Sequence, residues 1–378
     1  MPEIRIDRSK SLAQEPWTGH NRWHPDIPPV IRCDPGEDVI LETRDAFDGQ
    51  FGPGTPPDVL ATPNLDVLHP LTGPVYVDGA EPGDLLDVEI SDIEPDRYGY
   101  TAQVPGFGFL RDVFPEPFKV DWDIAGGWAT SAALPGVRIP GVPFMGTIGL
   151  SPDHEQLPAT RARQQAPLDR GGALPPSAAS AVPSDPHIAA SGARTMPPLA
   201  RTGNVDVKQL SRGAHLLIPV DVHGALFSAG DGHFAQGDGE TCGRAIEMGA
   251  TLRVRFTLRK GEAARQGIRR PWSTRGDHHV PPPVAPPPRF SATTGSWATR
   301  DDGDRSGGVS LAARNALLDM IDCLTERGWT PQEAYAICSV AVDLKLRRLI
   351  DVPNLLVSAL LPEDIFTDAG ADGRPLPR

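Results

Sequence analysis

The residues best suited to chemistry in this sequence lie in a glycine-rich run from Ala229 to Glu240. Asp231 and His233 are two positions apart, so their side chains share one face of an extended strand, and Asp238 and Glu240 repeat that spacing. Imidazole nitrogen with carboxylate oxygen is a donor set for zinc or a related divalent metal. Because glycine–aspartate pairs are also common in turns, a loop without chemistry is the competing interpretation. The concentration of acid–base groups in one short run favours a site.

Two further clusters lie nearer the start of the chain. His20 and His24 are four positions apart, but Pro25 favours an extended chain over a helix, and a structural histidine explains this cluster equally well. Asp45 and Asp48 lie where a predicted strand enters a glycine-containing loop, which suits a site and a solvated acidic loop equally. Neither cluster decides a function by itself.

Other common catalytic schemes are missing from the sequence. It contains no G-x-S-x-G nucleophile elbow, no Walker A motif and no convincing dinucleotide fingerprint. The cysteines form no C-x-x-C pair and no zinc-finger spacing; they are Cys33, Cys242, Cys323 and Cys338. We therefore expect reduced cysteines, which are typical of a cytoplasmic protein.

Composition narrows the class of protein. The 378 residues can bury a sizeable core and suggest two or three domains or one large domain. A net charge of −13 repels phosphate backbones, so we expect no nucleic-acid partner. We expect no membrane span and no signal peptide, because the sequence lacks an apolar run of about 18 residues and an apolar start. Proline (42) and glycine (39) are too frequent for a helical bundle and favour a β-rich fold.

The elements that must position these groups are mostly short strands. Apolar or alternating runs bounded by turn residues predict strands at Val39–Leu41, Leu85–Ile90, Val137–Ile139, Gly146–Leu150, His215–Val220 and Thr251–Leu258. Helical spacing predicts two helices near the C-terminus, at 309–328 and from Thr330 to about Val342, the second with a capping threonine. A further short helix is predicted at Cys242–Met248.

The chain divides into four predicted parts. They are an N-terminal β-rich part (1–150), an irregular excursion (151–202), a β-rich part with the acidic and histidine motif (203–260), and a proline-rich linker with a C-terminal α/β part (261–378). The excursion is interpreted as a mobile loop, an active-site lid or a subunit contact. The proline-rich run at 281–290 and the acidic run at 301–308 are predicted linkers.

Several segments together resemble the acetamidase/formamidase family. In chain order they are His20-Asn21-Arg22-Trp23-His24, Asp45-x-x-Asp48-Gly49-Gln50, Gly73 to Asp84, Pro143 to Gly149, Gly203-Asn204-x-Asp206-x-Lys208, Gly224 to Glu240, and Asp351-Val352-Pro353-Asn354. The resemblance spans nearly the whole chain. Its most specific motif is Gly-Asp-x-His-x-x-Gln-Gly-Asp-Gly-Glu, which begins at Gly230.

This resemblance implies hydrolysis of short aliphatic amides, formamide or acetamide, to ammonia and a carboxylate. It implies a divalent metal cofactor, and zinc is the expected ion, in one or two copies. It also implies that the protein forms a homo-oligomer and binds a small amide as its substrate. The implied fold is mainly β (α+β), with a jelly-roll or β-sandwich-like part and smaller barrel-like and α/β parts. The two predicted C-terminal helices fit the α/β part.

The resemblance carries site positions onto six residues, and a hypothesis of metal-activated water gives these and the other candidates their roles. The six are His20, Asp45, Asp48, Asp231, His233 and Glu240. The expected metal ligands are Asp45, Asp48, Asp231 and His233, with His20 as a further candidate. The expected catalytic residues are Glu240, Asp238 and Lys208; Glu240 is the expected general base, and its role and that of Asp238 could be exchanged. The expected substrate contacts are Asn204, His20 and Gln236, and Lys208 or Asn204 would orient the carbonyl oxygen.

Two alternative functions stay open at this point. One is a β-sandwich module that binds a metal or small ligand without turnover, although the imidazole of His233 argues against a calcium site. The other is hydrolysis of a different small amide, such as a urea-like or cyclic one. Ammonia release separates the enzyme from the binding module, and a panel of substrates separates the two enzymes.

Overall fold

A computed structural model describes residues 1–168, 178–199, 203–276, 287, 289–296, 298–299, 308–350 and 355–367. Most of the predicted linkers at 281–290 and 301–308 lies outside the described residues. The Asp351-Val352-Pro353-Asn354 motif lies outside them as well.

The described part of the chain is mainly β, which confirms the predicted fold class. Its strands are β1 (Glu3–Ile4), β2 (Gly19–His20), β3 (Arg22–Trp23), β4 (Ile31–Cys33), β5 (Asp38–Thr43), β6 (Leu71–Val77), β7 (Leu85–Gln103), β8 (Phe118–Ala125), β9 (Trp128–Thr130), β10 (Arg138–Pro140), β11 (Phe144–Leu150), β12 (Ala193–Arg194), β13 (Gly203–Asn204), β14 (Ala214–Pro219), β15 (Phe227–His233), β16 (Glu247–Arg259), β17 (Trp272–Arg275), β18 (Phe290–Gly295), β19 (Asp343–Arg348) and β20 (Leu356–Pro362). Its helices are α1 (Pro57–Ala61), α2 (Gln156–Leu168), α3 (Pro186–Ser191), α4 (Glu262–Gln266), α5 (Val309–Glu326) and α6 (Pro331–Ala341).

One large sheet organises most of these strands. Its main path runs β10-β9-β8-β7-β16-β15-β11-β13, and the pairs along it are antiparallel. The long strand β7 pairs with β16 from Leu85 to Tyr100, which is most of its length, and with β8 through its last part. Strands β15 and β16 are interior strands of the sheet, because each pairs with neighbouring strands on both of its sides.

The alternation predicted for Thr251–Leu258 is confirmed in β16. Leu252, Val254 and Phe256 are buried, whereas Arg253 and Arg255 between them are exposed. Successive side chains of a strand point to opposite faces, so one face of β16 packs into the core and the other meets solvent. This pattern fixes which side chains of the middle of β16 face the core, whereas the pairing with β7 shifts between Met248 and Ala250 near the start of the strand.

The C-terminal part forms a smaller layer. Strands β18, β20 and β19 make a three-stranded antiparallel sheet, and α5 packs against β18 and β20. Helix α6 begins with the predicted capping box, in which Thr330 Oγ1 accepts from the Glu333 N–H and the Thr330 N–H donates to Glu333 Oε2. Both predicted C-terminal helices are confirmed.

The predicted excursion at 151–202 contains more regular structure than its composition indicates. Its described residues include α2, α3 and the short strand β12, which pairs with β3. The Asp66 carboxylate forms salt bridges with the guanidinium groups of Arg22, at 2.9 Å, and of Arg194, at 3.4 Å. The segment is thus attached to the first strands of the chain.

The prediction of a short helix at Cys242–Met248 is wrong. The backbone of Ile246 pairs with Phe234 and Ala235, so the chain turns back on itself here, and Glu247 already begins β16. Gly243, with φ of 84°, supplies part of the turn. Among the described residues, no helix is long and apolar enough to cross a membrane.

Candidate active site

Strand β15 carries Asp231 and His233, with His233 Nε2 3.3 Å from Asp231 Oδ1. Both side chains are buried. Gly230 permits the close approach of a neighbouring backbone, because a Cβ at this position would lie 2.4 Å from the Pro70 carbonyl oxygen. The structure therefore brings together the two residues that the sequence places on one face of a strand.

The Asp231 carboxylate contacts two further side chains. Its Oδ2 lies 3.0 Å from His69 Nδ1 and accepts a hydrogen bond from Thr147 Oγ1 at 3.1 Å. Burial by itself would raise the pKa of Asp231, but the interactions with His69 and His233 hold this pKa well below its ordinary value. Thr195 holds His69 in turn, because its Oγ1 accepts from the His69 N–H at 2.7 Å and lies 2.8 Å from the His69 carbonyl oxygen.

The imidazole of His233 has polar neighbours on both edges. Its Nε2 lies 3.2 Å from Oε2 of Glu247, the residue directly opposite it on β16. Its Nδ1 lies 3.0 Å from Gln236 Oε1, and Gln236 Nε2 donates to the Asp206 carbonyl oxygen at 3.2 Å. Burial would lower the pKa of His233, but Glu247 and Asp231 raise it well above its ordinary value. Gln236 therefore orients the ring so that Nε2 faces the carboxylates.

Two more carboxylates approach the same imidazole. Asp206 Oδ1 lies 3.9 Å from His233 Nδ1, and the ligand atoms of Glu240, Glu247 and His233 all lie within 4.8 Å of one another. Burial and the negative charge of Glu240 raise the pKa of Asp206 well above its ordinary value. Burial also raises the pKa of Glu240 to about 7, opposed by His233 and reinforced by Glu247 and Asp231.

Gly146 of β11 leaves a small space where these groups converge. A Cβ at this position would lie 2.6 Å from Asp206 Oδ1, 2.7 Å from Asp231 Oδ2 and 2.8 Å from His233 Cε1. Only glycine leaves this space open. Three of the polar side chains therefore meet over one point of the backbone.

The donor set fits a divalent cation. Asp206, Asp231 and His233 form one group whose ligand atoms lie within 4.8 Å of one another, and His233 forms the second group with Glu240 and Glu247. Asp206 Oδ1 and Glu247 Oε2 are buried without a hydrogen-bond partner in the described part of the chain, which is costly for such atoms. The raised pKa values of Asp206 and His233 mean that these two groups retain protons, which a bound divalent ion would replace.

The chain is similar to known proteins along nearly its whole length. The model of the acetamidase/formamidase family matches residues 5–368. The chain belongs to the acetamidase/formamidase family. It is 36% identical to an acetamidase of Mycolicibacterium smegmatis, with 89% of each chain covered, and 34% identical to a formamidase of Methylophilus methylotrophus, with 96% of this chain and 93% of that one covered. A solved structure of a gamma lactamase from Delftia acidovorans shares 33% identity and a TM-score of 0.90, covering 99% of this chain and 96% of that one.

Membership of the family confirms the resemblance inferred from the sequence motifs. This family member is an enzyme that hydrolyses short linear amides. The alternative of a binding module without turnover is therefore set aside.

Lys208 and Asp238 of this family member lie in a network of two lysines and two aspartates. Lys208 Nζ is paired with Asp343 Oδ1 and lies 3.2 Å from Asp238 Oδ1, and Lys345 Nζ lies 2.5 Å from Asp238 Oδ2. Burial would raise the pKa of Asp238, but Lys208 and Lys345 hold it below its ordinary value. The structure thus separates Asp238, which is paired with lysines, from Glu240, which approaches His233.

The three predicted substrate contacts occupy different surroundings. Gln236 orients His233, as described above. Asn204 Nδ2 donates to the Met196 carbonyl oxygen at 2.9 Å, and His20 Nε2 lies 2.8 Å from Ser228 Oγ. Burial lowers the pKa of His20 to about 4, so this ring is neutral. Their roles toward substrate stay predictions.

Asp45 and Asp48 lie outside both ligand groups. Asp45 accepts hydrogen bonds from the Tyr100 hydroxyl at 2.6 Å and from two backbone N–H groups. Both oxygens of Asp48 lie within 3.0 Å of the Leu12 N–H, and Arg44 Nε is 3.7 Å away. Because neither residue belongs to a ligand group around His233, both lie outside the ligand set proposed below, and their assignment stays a prediction.

Two cavities flank the cluster. A polar cavity of about 240 Å³ has Glu247 in its wall, together with Asp45, Tyr100 and Arg44. A larger cavity of about 500 Å³ is mostly apolar, and Gln236 and Lys208 belong to its wall. The first cavity suits a very small polar substrate, and the second suits a larger and less polar one.

Sequence reasoning missed three residues of this site. Asp206 lies in the quoted Gly203-Asn204-x-Asp206-x-Lys208 motif but was given no role. Glu247 lies in the stretch predicted as a helix, and the alternation of β16 puts it in phase with the exposed Arg253 and Arg255, so that pattern gave no signal for it. His69 has no acid–base neighbour in the sequence between Leu68 and Pro70, so no local signal indicated it.

Proposed function

We propose that this amidase hydrolyses formamide or acetamide to ammonia and the carboxylate with a water molecule activated at the cluster of Asp206, Asp231, His233, Glu240 and Glu247. The observation that carries the proposal is the convergence of four carboxylates on one buried imidazole, with Asp206 Oδ1 and Glu247 Oε2 lacking hydrogen-bond partners among the described residues. Four carboxylates close together need a positive charge nearby to be stable, and the imidazole of His233 supplies only part of it.

The proposed ligands of a divalent ion, with zinc as the first candidate in one or two copies, are Asp206, Asp231, His233 and Glu247. When bound there, the ion supplies Lewis acidity, which lowers the pKa of water from about 15.7 to roughly 7 and stabilises negative charge on the carbonyl oxygen. Gln236 supports this assignment, because a histidine that ligates a metal usually makes a hydrogen bond through its other ring nitrogen.

Glu240 is the proposed general base. Its carboxylate is close to His233 and Glu247, accepts no hydrogen bond in the described part of the chain, and has a pKa of about 7. A base of this pKa takes a proton from water at neutral pH and returns it to the leaving nitrogen. Asp238 is the weaker candidate, because its two lysine partners stabilise the carboxylate and lower its pKa.

The substrate is proposed to enter through the polar cavity. Glu247 connects the wall of this cavity to the cluster, and Asp45 and Tyr100 line the same space. A formamide or acetamide molecule offers one carbonyl acceptor and one amine donor, which matches a small cavity lined by both kinds of group. A larger acyl group would meet the rings of Phe51 and Tyr98 in the same wall.

The test is ammonia release from formamide, acetamide, propionamide and urea, before and after exhaustive chelation. We expect release from the two smallest amides, its loss on chelation and its return with Zn²⁺. Glu240→Gln should lower turnover by roughly a hundred-fold or more while leaving the fold intact. The exposed Glu116→Gln variant is the matched control. Turnover that survives verified metal loss would overturn the metal assignment, and normal turnover of Glu240→Gln would remove Glu240 as the base.

A second candidate substrate class is a cyclic amide. The apolar cavity of about 500 Å³ has Gln236 in its wall, and the chain is similar to a gamma lactamase over 99% of its length. Ring opening of 2-pyrrolidinone, measured beside acetamide hydrolysis, tests this candidate. Trp128→Ala, which changes only the apolar cavity, should impair lactam opening and leave acetamide turnover unchanged. Equal loss of both activities would contradict a separate lactam cavity.

We also propose that the protein works as a homo-oligomer in the cytoplasm. Leu346, Leu349 and Ile350 are exposed at and after the edge strand β19, a surface of the kind that subunit contacts cover. The four cysteines are free, which suits a reducing compartment. Sedimentation of wild type and of Leu346→Lys/Ile350→Lys tests the first point: an unchanged assembly would exclude this surface.

A further inference from the structure

A cluster of three histidines and one aspartate lies apart from the amide site. His154 Nε2 lies 3.1 Å from Asp26 Oδ1, His187 Nε2 lies 3.6 Å from Asp26 Oδ2, and His24 Nδ1 lies 3.8 Å from the same Oδ2. One ligand atom each from His24, Asp26 and His187 lies within 4.8 Å of the others. We propose that these four residues form a second metal site, which binds a zinc-type transition metal ion.

The donor set distinguishes this site from the carboxylate-rich cluster around His233. Three imidazoles with one carboxylate are typical ligands of Zn²⁺ and of other late first-row metals, and a four-donor set can satisfy a tetrahedral ion. The rings already lie close together, with centroids 5.1 Å apart for His24 and His187 and 5.5 Å apart for His24 and His154. Small movements of exposed side chains would therefore complete the coordination.

The hydrogen bonds of His24 put its ring in the form that a metal needs. Its Nδ1 accepts from the Asp26 N–H at 3.1 Å, so Nδ1 carries the lone pair. Its Nε2 lies 3.0 Å from Ser191 Oγ, which itself donates to the His187 carbonyl oxygen. The Nε2–H of His24 therefore donates to Ser191. This second hydrogen bond is what ligating histidines usually have, and it fixes the direction in which Nδ1 points.

Burial divides the site into one fixed ligand and three accessible ones. The side chain of His24 is 1% exposed, whereas those of Asp26, His154 and His187 are 47%, 62% and 67% exposed. An ion can thus reach the site from solvent and find one ligand that is already held in place. The metal displaces only the weak bond between Nδ1 and the Asp26 N–H and the contacts of the imidazoles with the Asp26 carboxylate.

The four ligands come from separate parts of the chain. His24 and Asp26 follow β3, His154 precedes α2 and His187 lies in the first turn of α3. An ion bound by all of them ties this segment of 154–191 to the start of the chain, beside the β3–β12 pair. Because Thr195, just after β12, holds His69, the proposed site also supports the region that contacts Asp231. Its expected role is stabilisation of the fold, separate from amide hydrolysis.

The test measures zinc content and zinc-dependent thermal stability of the full chain. His154→Asn/His187→Asn is the test variant, and the exposed His223→Asn is the matched control. A His233→Asn background weakens the site proposed for amide hydrolysis, so the two sites are counted independently. We expect wild type, His223→Asn and His233→Asn to retain the zinc equivalent of this site and to gain thermal stability with added Zn²⁺.

The double variant should lose one zinc equivalent, or bind it more than about tenfold more weakly, without loss of its fold by circular dichroism. It should also lose the zinc-dependent rise of the melting temperature. If the double variant fails to fold, the single His154→Asn variant is used, because that side chain is exposed. Unchanged zinc content and an unchanged zinc-dependent melting temperature in the folded variant would overturn the proposal, and this result is independent of whether amides are hydrolysed.

Discussion

His233 Nε2 and Glu247 Oε2 lie 3.2 Å apart because their residues are directly opposite each other in the β15–β16 pair. The register of the β15–β16 pair therefore also sets a contact of the active site. Neither residue can move along its strand without breaking this contact. The two strands are interior strands of the large sheet, so this part of the site rests on a rigid support.

Replacement of Glu247 by glutamine tests this contact. The amide keeps the size of the side chain but removes its negative charge, so metal affinity and turnover should each fall by roughly ten- to a hundred-fold. Zinc content after dialysis and ammonia release from acetamide measure the two effects. The exposed Glu94→Gln variant on the neighbouring strand β7 is the control and should behave as wild type. Full activity of Glu247→Gln with full metal content would remove Glu247 from the site.

Gly146→Ala tests the space between the polar side chains. A methyl group there would lie below 3 Å from atoms of Asp206, Asp231 and His233, so at least one of them must move. We expect loss of metal binding and a fall in turnover of at least about a hundred-fold, because displacement by 1 Å can cost that much. Gly276→Ala, which meets no atom within 4 Å, is the control. A crystal structure of the variant with the ion in place and normal turnover would contradict this prediction.

The pH dependence of kcat/KM tests Glu240 as the base. Burial raises the pKa of Glu240 to about 7, and only the ionised carboxylate can accept a proton from water. Activity should therefore be low below pH 7, rise through about pH 7 and level off above it. Glu240→Gln should show a low activity that does not rise through pH 7. A wild-type profile that is flat from pH 5 to 8 would mean that another group accepts the proton.

Much of the fold could be predicted from local patterns. The alternation of Thr251–Leu258 and the capping signal at Thr330 both correspond to elements of the structure, because their causes lie within a few residues of chain. The turn before β16 was mistaken for a helix, since composition at Cys242–Met248 does not reveal that Ile246 pairs with Phe234 and Ala235. That pairing depends on long-range contacts.

In the candidate site, too, residues with a local sequence pattern could be predicted, and residues brought in by long-range contacts could not. Asp231 and His233 could be identified because their spacing within one strand carries the signal. His69 could not, because its contact with Asp231 joins residues 162 positions apart in the numbering and leaves no pattern near either. Asp45 and Asp48 have the right residue types, and their oxygens accept hydrogen bonds from backbone N–H groups and Tyr100, so their assignment as ligands stays a prediction. Residue type and spacing indicate which groups could ligate an ion, and tertiary packing decides which are free to do so.

Lys208→Met distinguishes a catalytic lysine from one that stabilises the fold. Lys208 is buried and paired with the buried Asp343, so its removal leaves a carboxylate with less compensation and should lower the free energy of unfolding by about 3 kcal/mol. The half-buried Lys345 pairs with the same aspartates from the solvent side, so Lys345→Met should cost below about 1 kcal/mol. Denaturant unfolding measures both values, and ammonia release is measured under conditions where both variants are folded.

Because no described contact joins Lys208 to His233 or Glu240, turnover of folded Lys208→Met should stay within about tenfold of wild type, well above that of Glu240→Gln. A loss as large as that of Glu240→Gln, with stability unchanged, would instead assign Lys208 a direct part in the reaction.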